Sequence, residues 1–154
     1  MDWSSFASTA LGAVIGVTST LIADRVRWRR DHQDKQQAAR RQLYADYLAA
    51  LSRTYNEIRE AARNTAAPDG DRARAAVAAF KEGGAYELRY QVSITAPETV
   101  EEPSVSAFRA LRKLRDLVES GTKYDDPEYV AAREEWDDLF DGLRARIRAD
   151  LDGR

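Results

Sequence analysis

Residues 43–62 read Leu-Tyr-Ala-Asp-Tyr-Leu-Ala-Ala-Leu-Ser-Arg-Thr-Tyr-Asn-Glu-Ile-Arg-Glu-Ala-Ala. Leu43, Tyr47, Leu51, Tyr55, Ile58 and Ala62 follow one another at intervals of three and four, which places them on one face of an α-helix with a polar face opposite. This helix is expected to run far upstream, because no Gly or Pro occurs between Val17 and Ala67. Its near half, 25–42, is polar almost all round. At 1.5 Å per residue it forms a solvated stalk of about 27 Å, and without an apolar a/d seam it has no reason to zip into a coiled coil.

Further upstream the chemistry changes. From Trp3 to Ala23 there is no charged residue, and Arg25, Arg27, Arg29 and Arg30 follow directly. The uncharged segment reaches roughly 30 Å as a helix, the thickness of a bilayer's hydrocarbon core. Trp3 and Trp28 stand just outside its ends, where amphipathic rings favour the headgroup level. A single transmembrane helix is therefore expected within residues 1–24, although seven Ser and Thr residues among its apolar ones make insertion only moderately favourable. The competing readings are a helix buried in an oligomer, one lying in the interface, and a secretory signal peptide. Against the last, the head carries Asp2 and no Lys or Arg, and Thr20-Leu21-Ile22-Ala23 lacks small cleavage-site residues.

Seven basic residues against three acidic ones between Asp24 and Arg41 orient the span, with the amino terminus outside and everything from Arg25 onward cytoplasmic. The arginine cluster either fixes this topology alone or also attracts anionic lipid, at about 1 kcal/mol per basic residue. Having no cysteine, the chain has no disulfide framework, and a reducing compartment suits it. Within the span, Ser8, Gly12, Gly16 and Thr20 recur every four residues around a GxxxG core. Such a ridge of small side chains lets two helix backbones approach closely in lipid. It is read as a self-association face, the alternative being a ridge idle against lipid.

Downstream, Asn64 to Gly70 is a loop with Pro68-Asp69-Gly70 as its turn. Asp71 is expected to cap a second helix with Ala73, Val77, Phe80, Gly84, Leu88 and Val92 on its buried face. Residues 86–94 also alternate as a strand would, but no second alternating run exists to pair with them, so helix is preferred. Gly83-Gly84 marks a kink or a close approach. Pro97 and Pro103 are expected to break the chain, with a third helix starting near Ser104. Val105, Phe108, Leu111, Leu114 or Arg115, and Val118 lie on its face, and it stops at Gly121. Asp126-Pro127 opens a fourth helix, burying Tyr129, Ala132, Trp136, Leu139, Phe140, Leu143, Ile147 and Leu151. The expected fold is all-α: a transmembrane helix over 1–24, a basic juxtamembrane stalk over 25–42, and an up-and-down antiparallel bundle over 43–154.

The chain carries a formal charge of −2 with 32% charged residues, which argues against a dedicated nucleic-acid binder. Chemistry finds little purchase. A ferritin-type di-iron centre needs Glu-x-x-His pairs, and the one histidine is His32 in the stalk. The acidic pairs Glu101/Glu102, Asp125/Asp126, Glu134/Glu135 and Asp137/Asp138 are read as solvated faces and caps, since adjacent helical residues diverge. No catalytic residue, metal ligand or cofactor is expected. Seven tyrosines are mostly assigned to the core edge, with a tyrosine-lined partner groove as the alternative.

Ser8–Gly16 (Ser-Thr-Ala-Leu-Gly-Ala-Val-Ile-Gly), Ala23–Arg30 (Ala-Asp-Arg-Val-Arg-Trp-Arg-Arg) and Arg40–Leu51 (Arg-Arg-Gln-Leu-Tyr-Ala-Asp-Tyr-Leu-Ala-Ala-Leu) together resemble small membrane-anchored helical proteins of actinobacteria with no assigned function. The resemblance covers about a third of the chain and implies a bacterial plasma membrane. The expected function is a membrane-tethered interaction or scaffolding module that self-associates and meets a cytoplasmic protein. The alternatives are a membrane-perturbing or pore-forming effector and, third, a small enzyme with a carboxylate site.

Overall fold

A computed structural model of the chain describes residues 35–153, and every regular element among them is a helix. The described residues from Arg40 onward form one compact unit. The helices are α1 (35–63), α2 (Asp69–Glu82), α3 (Ala85–Thr95), α4 (Glu98–Glu119) and α5 (Pro127–Leu151). Among the described residues no helix is long and apolar enough to cross a membrane. The uncharged segment 3–23, with its small-residue ridge, flanking tryptophans and arginine cluster, lies outside them.

Contacts between helices give their directions. Arg40 Nη2 meets Asp150 Oδ1 at 2.6 Å, and the rings of Tyr55 and Trp136 stack at 5.3 Å, so α1 and α5 are antiparallel. Arg72 reaches the carbonyls that follow α4, while Phe80 packs on Phe108 at 5.2 Å, so α2 opposes α4. Lys113 pairs with Glu135 across α4 and α5. Tyr47 joins α1 to Ser104 of α4. These four helices alternate in direction around one core, as an up-and-down bundle does, and the short α3 is laid against α2 and α4.

The faces read from periodicity hold best in α5. Tyr129, Ala132, Trp136, Leu143 and Ile147 are buried, with Leu139, Phe140 and Leu151 packed at the edge. In α1, Tyr47, Leu51, Ile58 and Ala62 are buried as expected and Leu43 and Tyr55 half-buried, joined by Tyr44, Ala50, Thr54 and Ala61.

Three expectations need correction. The second helix is two: α2 ends at Glu82, and α3 starts after Gly84, whose φ of 76° no other residue type adopts comfortably. Within α2 the inward face is Arg72, Ala76, Ala79 and Phe80, with Ala73 and Val77 only partly covered, and the break keeps α3 from continuing that face. Residues 86–94 are helical throughout. Secondly, α2 starts before Asp71, with Pro68 at its N-cap, and Asp71 lies in its first turn paired with Arg74. Thirdly, α4 begins at Glu98 and passes through Pro103. The missing Pro103 N–H leaves only the Thr99 carbonyl without its helical donor, at an exposed position that water reaches. Ser104, not Val105, is the buried residue there, with Leu114 inside and Arg115 half-buried.

The helix ends follow local rules. Gly121, at φ 95°, ends α4 in a Schellman arrangement, with Thr122 N–H donating to the Leu117 carbonyl at 2.9 Å and Gly121 N–H to that of Val118 at 3.1 Å. Asp126 is the N-cap of α5 and Pro127 its first residue. Its carboxylate accepts from the Lys123 N–H at 2.7 Å, tying the preceding turn and not the helix.

Candidate interaction surface

Helix α3 presents outward what the rest of the bundle presents inward. The exposed large hydrophobic side chains among the described residues are Tyr86 (41%), Tyr90 (48%) and Ile94 (82%). At positions i, i+4 and i+8 they form one stripe along a helix held to the bundle by Ala85 and Val92 on its inner side. The Tyr86 and Tyr90 rings meet edge to face at 5.1 Å, with their hydroxyls 3.0 Å apart. That hydrogen bond raises the pKa of Tyr86 and lowers that of Tyr90, where Arg89 adds to the effect.

Arginines lie at the Tyr86–Tyr90 end of this stripe. The Arg89 guanidinium lies 4.8 Å from the Phe108 ring centre, 4.9 Å from that of Tyr90 and 5.9 Å from that of Tyr86, and its Nε is buried with no hydrogen-bond partner. Arg112 also covers Phe108, and Arg115 covers Phe80 at 4.6 Å. Cation–π contacts of this kind contribute about 0.5–1 kcal/mol at exposed sites. Between α2, α3 and α4 they leave an open cleft of about 410 Å³, lined by Phe80, Lys81, Tyr86, Glu87, Arg112 and Arg115. Its lining is cationic in excess, on a chain whose overall charge is negative. Lys81 and Arg112 have no carboxylate partner among the described residues, whereas Arg115 is held by Asp116.

The remaining tyrosines and polar groups serve the core. Tyr47 is fully buried, and Ser104 Oγ donates to its oxygen at 2.9 Å, so its hydroxyl is not at a wet edge. Burial pushes its pKa up to about 12. An unfolded tyrosine ionises near 10, so the stabilisation from keeping Tyr47 neutral is complete below pH 10 and is lost as pH climbs through about 12. Alkaline titration followed by tyrosinate absorbance and helicity should show ionisation coupled to unfolding in that window. Tyr47→Phe should soften the coupling and cost about 1 kcal/mol at neutral pH through the partner lost to Ser104. Tyr44 donates to Asp150 Oδ2 at 2.9 Å and accepts from Arg40, with burial again raising its pKa. Tyr129 is likewise pushed up by burial, its hydroxyl unpartnered.

Arg72 is the buried cation of the bundle, 2% exposed. Its Nη2 donates to Asp69 Oδ1 at 2.7 Å and to the Gly121 carbonyl at 3.2 Å, and Nη1 to the Thr122 carbonyl at 3.4 Å. These carbonyls sit just past the C-terminus of α4, where positive charge is favoured. Arg72 is thus a structural clamp between α2 and α4.

The ten residues singled out from sequence for assembly, topology and interface anchoring lie outside the described residues. Of the tyrosines considered for a partner groove, Tyr44, Tyr47, Tyr55, Tyr86 and Tyr90, the last two are on the surface, Tyr55 is half-buried against Trp136, and Tyr44 and Tyr47 are inside. Ile94, Arg89 and Arg112 were not foreseen. Continuing the helical register correctly from Gly84 would have placed Ile94 outside. Among the described residues no group of three or more His, Cys, Asp or Glu side chains is placed to hold a metal ion. No protein family, curated protein or solved structure matches this chain.

Proposed function

We propose that this chain is a membrane-tethered helical interaction or scaffolding module: a single-pass anchor within 1–24, amino terminus outside, holds the bundle in the cytoplasm, where it docks partners through α3. The observation that carries this reading is the concentration of exposed Tyr86, Tyr90 and Ile94 on one short helix, with Arg89 against its tyrosines and Arg112 on the neighbouring Phe108. Aromatic residues and arginine are the types enriched in the buried centres of protein interfaces. The membrane assignment rests on the uncharged segment 3–23 and the arginines Arg25, Arg27, Arg29 and Arg30 behind it. Self-association rests on the ridge Ser8, Gly12, Gly16 and Thr20. Tethering raises the effective concentration of the bundle for any membrane-localised partner, so weak docking suffices.

Membrane fractionation with chemical crosslinking tests it. Full-length protein should sediment with membranes as oligomers, a truncation before Arg25 should be released, and Gly12→Leu/Gly16→Leu should stay in the membrane with fewer crosslinks. A soluble full-length chain would overturn the anchor. Tyr86→Ala/Tyr90→Ala should leave the bundle folded, at a cost of about 1–2 kcal/mol from the lost ring and guanidinium contacts, while reducing crosslinks that involve the bundle. Equal crosslinking in that variant would remove α3 as the docking face.

A further inference from the structure

The acidic counterpart of the α3 surface is present on the same chain. Between Arg133 and Arg144, α5 carries Glu134, Glu135, Asp137, Asp138 and Asp141 with no basic residue. Glu135 and Asp141 are paired with Lys113 and Arg144, and no ion pair among the described residues engages Glu134, Asp137 or Asp138. Leu139 and Phe140 lie among these acids, only partly buried. Asp137 has a raised pKa, through partial burial first, with Arg133 opposing and the neighbouring charges of Asp141 and Asp138 adding to it. Negative charge is crowded there, with Arg133 and Arg59 acting on Asp137 from nearby.

Two geometric facts match the surfaces. The Lys113–Glu135 pair puts the middle of α4 level with the middle of α5. Phe108 and Arg112, which carry the α3 aromatics, therefore sit at the height of α5 residues 136–140. The surfaces also face different ways: α3 lies on the α2–α4 side, whereas Asp137 is close enough to Arg59 of α1 to feel its charge. Two bundles packed side by side with parallel axes can bring one surface onto the other without sliding.

We propose that the occupant of the α3 surface is a second copy of this chain, whose acidic α5 segment 134–141 docks head to tail on Tyr86, Tyr90 and Ile94 and on the cations Arg89, Arg112 and Lys81. This rests on α3 being a docking face and names its partner. The contact is heterologous, so it closes into a ring or runs on as an open chain, and a shared membrane supplies the parallel orientation it needs.

The absence of cysteine gives a clean test in the full-length chain in native membranes. Two differently tagged copies, one Glu87→Cys, an exposed position of α3 beside Tyr86, and the other Asp138→Cys, should form a disulfide with each other under mild oxidation, and Glu87→Cys should not pair with itself. Arg112→Glu on the first copy should lower the mixed product about tenfold, equivalent to roughly 1.4 kcal/mol, and Asp137→Arg on the second should restore it. Self-pairing of Glu87→Cys at equal yield would overturn the head-to-tail arrangement while keeping α3 as a docking face. No disulfide from Glu87→Cys, with crosslinking through the membrane ridge intact, would overturn both. A mixed product indifferent to Arg112→Glu would overturn the charge pairing as its cause.

Discussion

Replacing Arg72 by alanine should destabilise the bundle by about 3 kcal/mol, lowering its melting temperature by roughly 10 °C. The change removes the donors of the Gly121 and Thr122 carbonyls and the positive charge at the C-terminus of α4, and it empties the space filled by the arginine stem. Gly121 and Thr122 are half-buried, so each carbonyl left without its donor costs about 1 kcal/mol, and the rest comes from the lost packing of the arginine stem. Two further variants separate the causes. Arg72→Met keeps much of the volume and should recover only the packing share. Arg72→Lys keeps the charge, but a single ammonium cannot reproduce the planar fork that meets Asp69 and both carbonyls, so it should stay well below the parent. If Arg72→Met melts with the parent, the hydrogen bonds of Arg72 contribute nothing net. Acid titration adds a second reading. Arg72 holds the Asp69 carboxyl below its ordinary range, chiefly through their hydrogen bond. The stability from that pair is present above the ordinary aspartate pKa and is lost as pH falls through the lowered value. Parent and Arg72→Ala curves should therefore converge partly at low pH.

Arg72 also marks the limit of what the sequence discloses. Periodicity finds apolar faces, so α5 was legible almost residue by residue, and Asp126-Pro127 located its start to the residue. It assigns an arginine to solvent by default. What brings Arg72 inside is a partner about fifty residues away, the carbonyls of Gly121 and Thr122, and no local pattern announces that contact. Pro103 misled in the opposite sense, since a proline near a helix start removes one hydrogen bond and need not end the helix. The α3 surface was half visible. Its tyrosines were noticed, yet their exposure depends on the register reset at Gly84, and reading through the Gly83-Gly84 pair as a simple kink put Gly84, Leu88 and Val92 on one face with α2. In the structure Val92 is buried, Leu88 is partly so, and Ile94 is free of the core.

The glycine pair supplies the other large effect. Gly83→Ala should cost about 3 kcal/mol, at the upper end of overpacking penalties, although its φ of −67° suits alanine and a helix C-cap tolerates it. The obstacle is space. A Cβ on Gly83 would lie 1.9 Å from Thr54 Oγ1, 2.8 Å from the Ala79 carbonyl oxygen and 3.1 Å from Thr54 Cβ. Thr54 is fully buried on α1, so relieving the overlap means turning its side chain within the core or moving α1 and α2 apart. Gly84→Ala is the contrasting case. There a Cβ meets nothing within 4 Å, and only the left-handed backbone resists it, at roughly 1–2 kcal/mol. Thr54→Ala removes the hydroxyl that blocks Gly83→Ala, and that hydroxyl has no hydrogen-bond partner to lose. Thermal melts of the two single variants and the double should therefore be non-additive, the double recovering about half of the Gly83→Ala loss. Full additivity would mean that the clash with Thr54 is not what makes position 83 require glycine, leaving the contact with the Ala79 carbonyl as the cause.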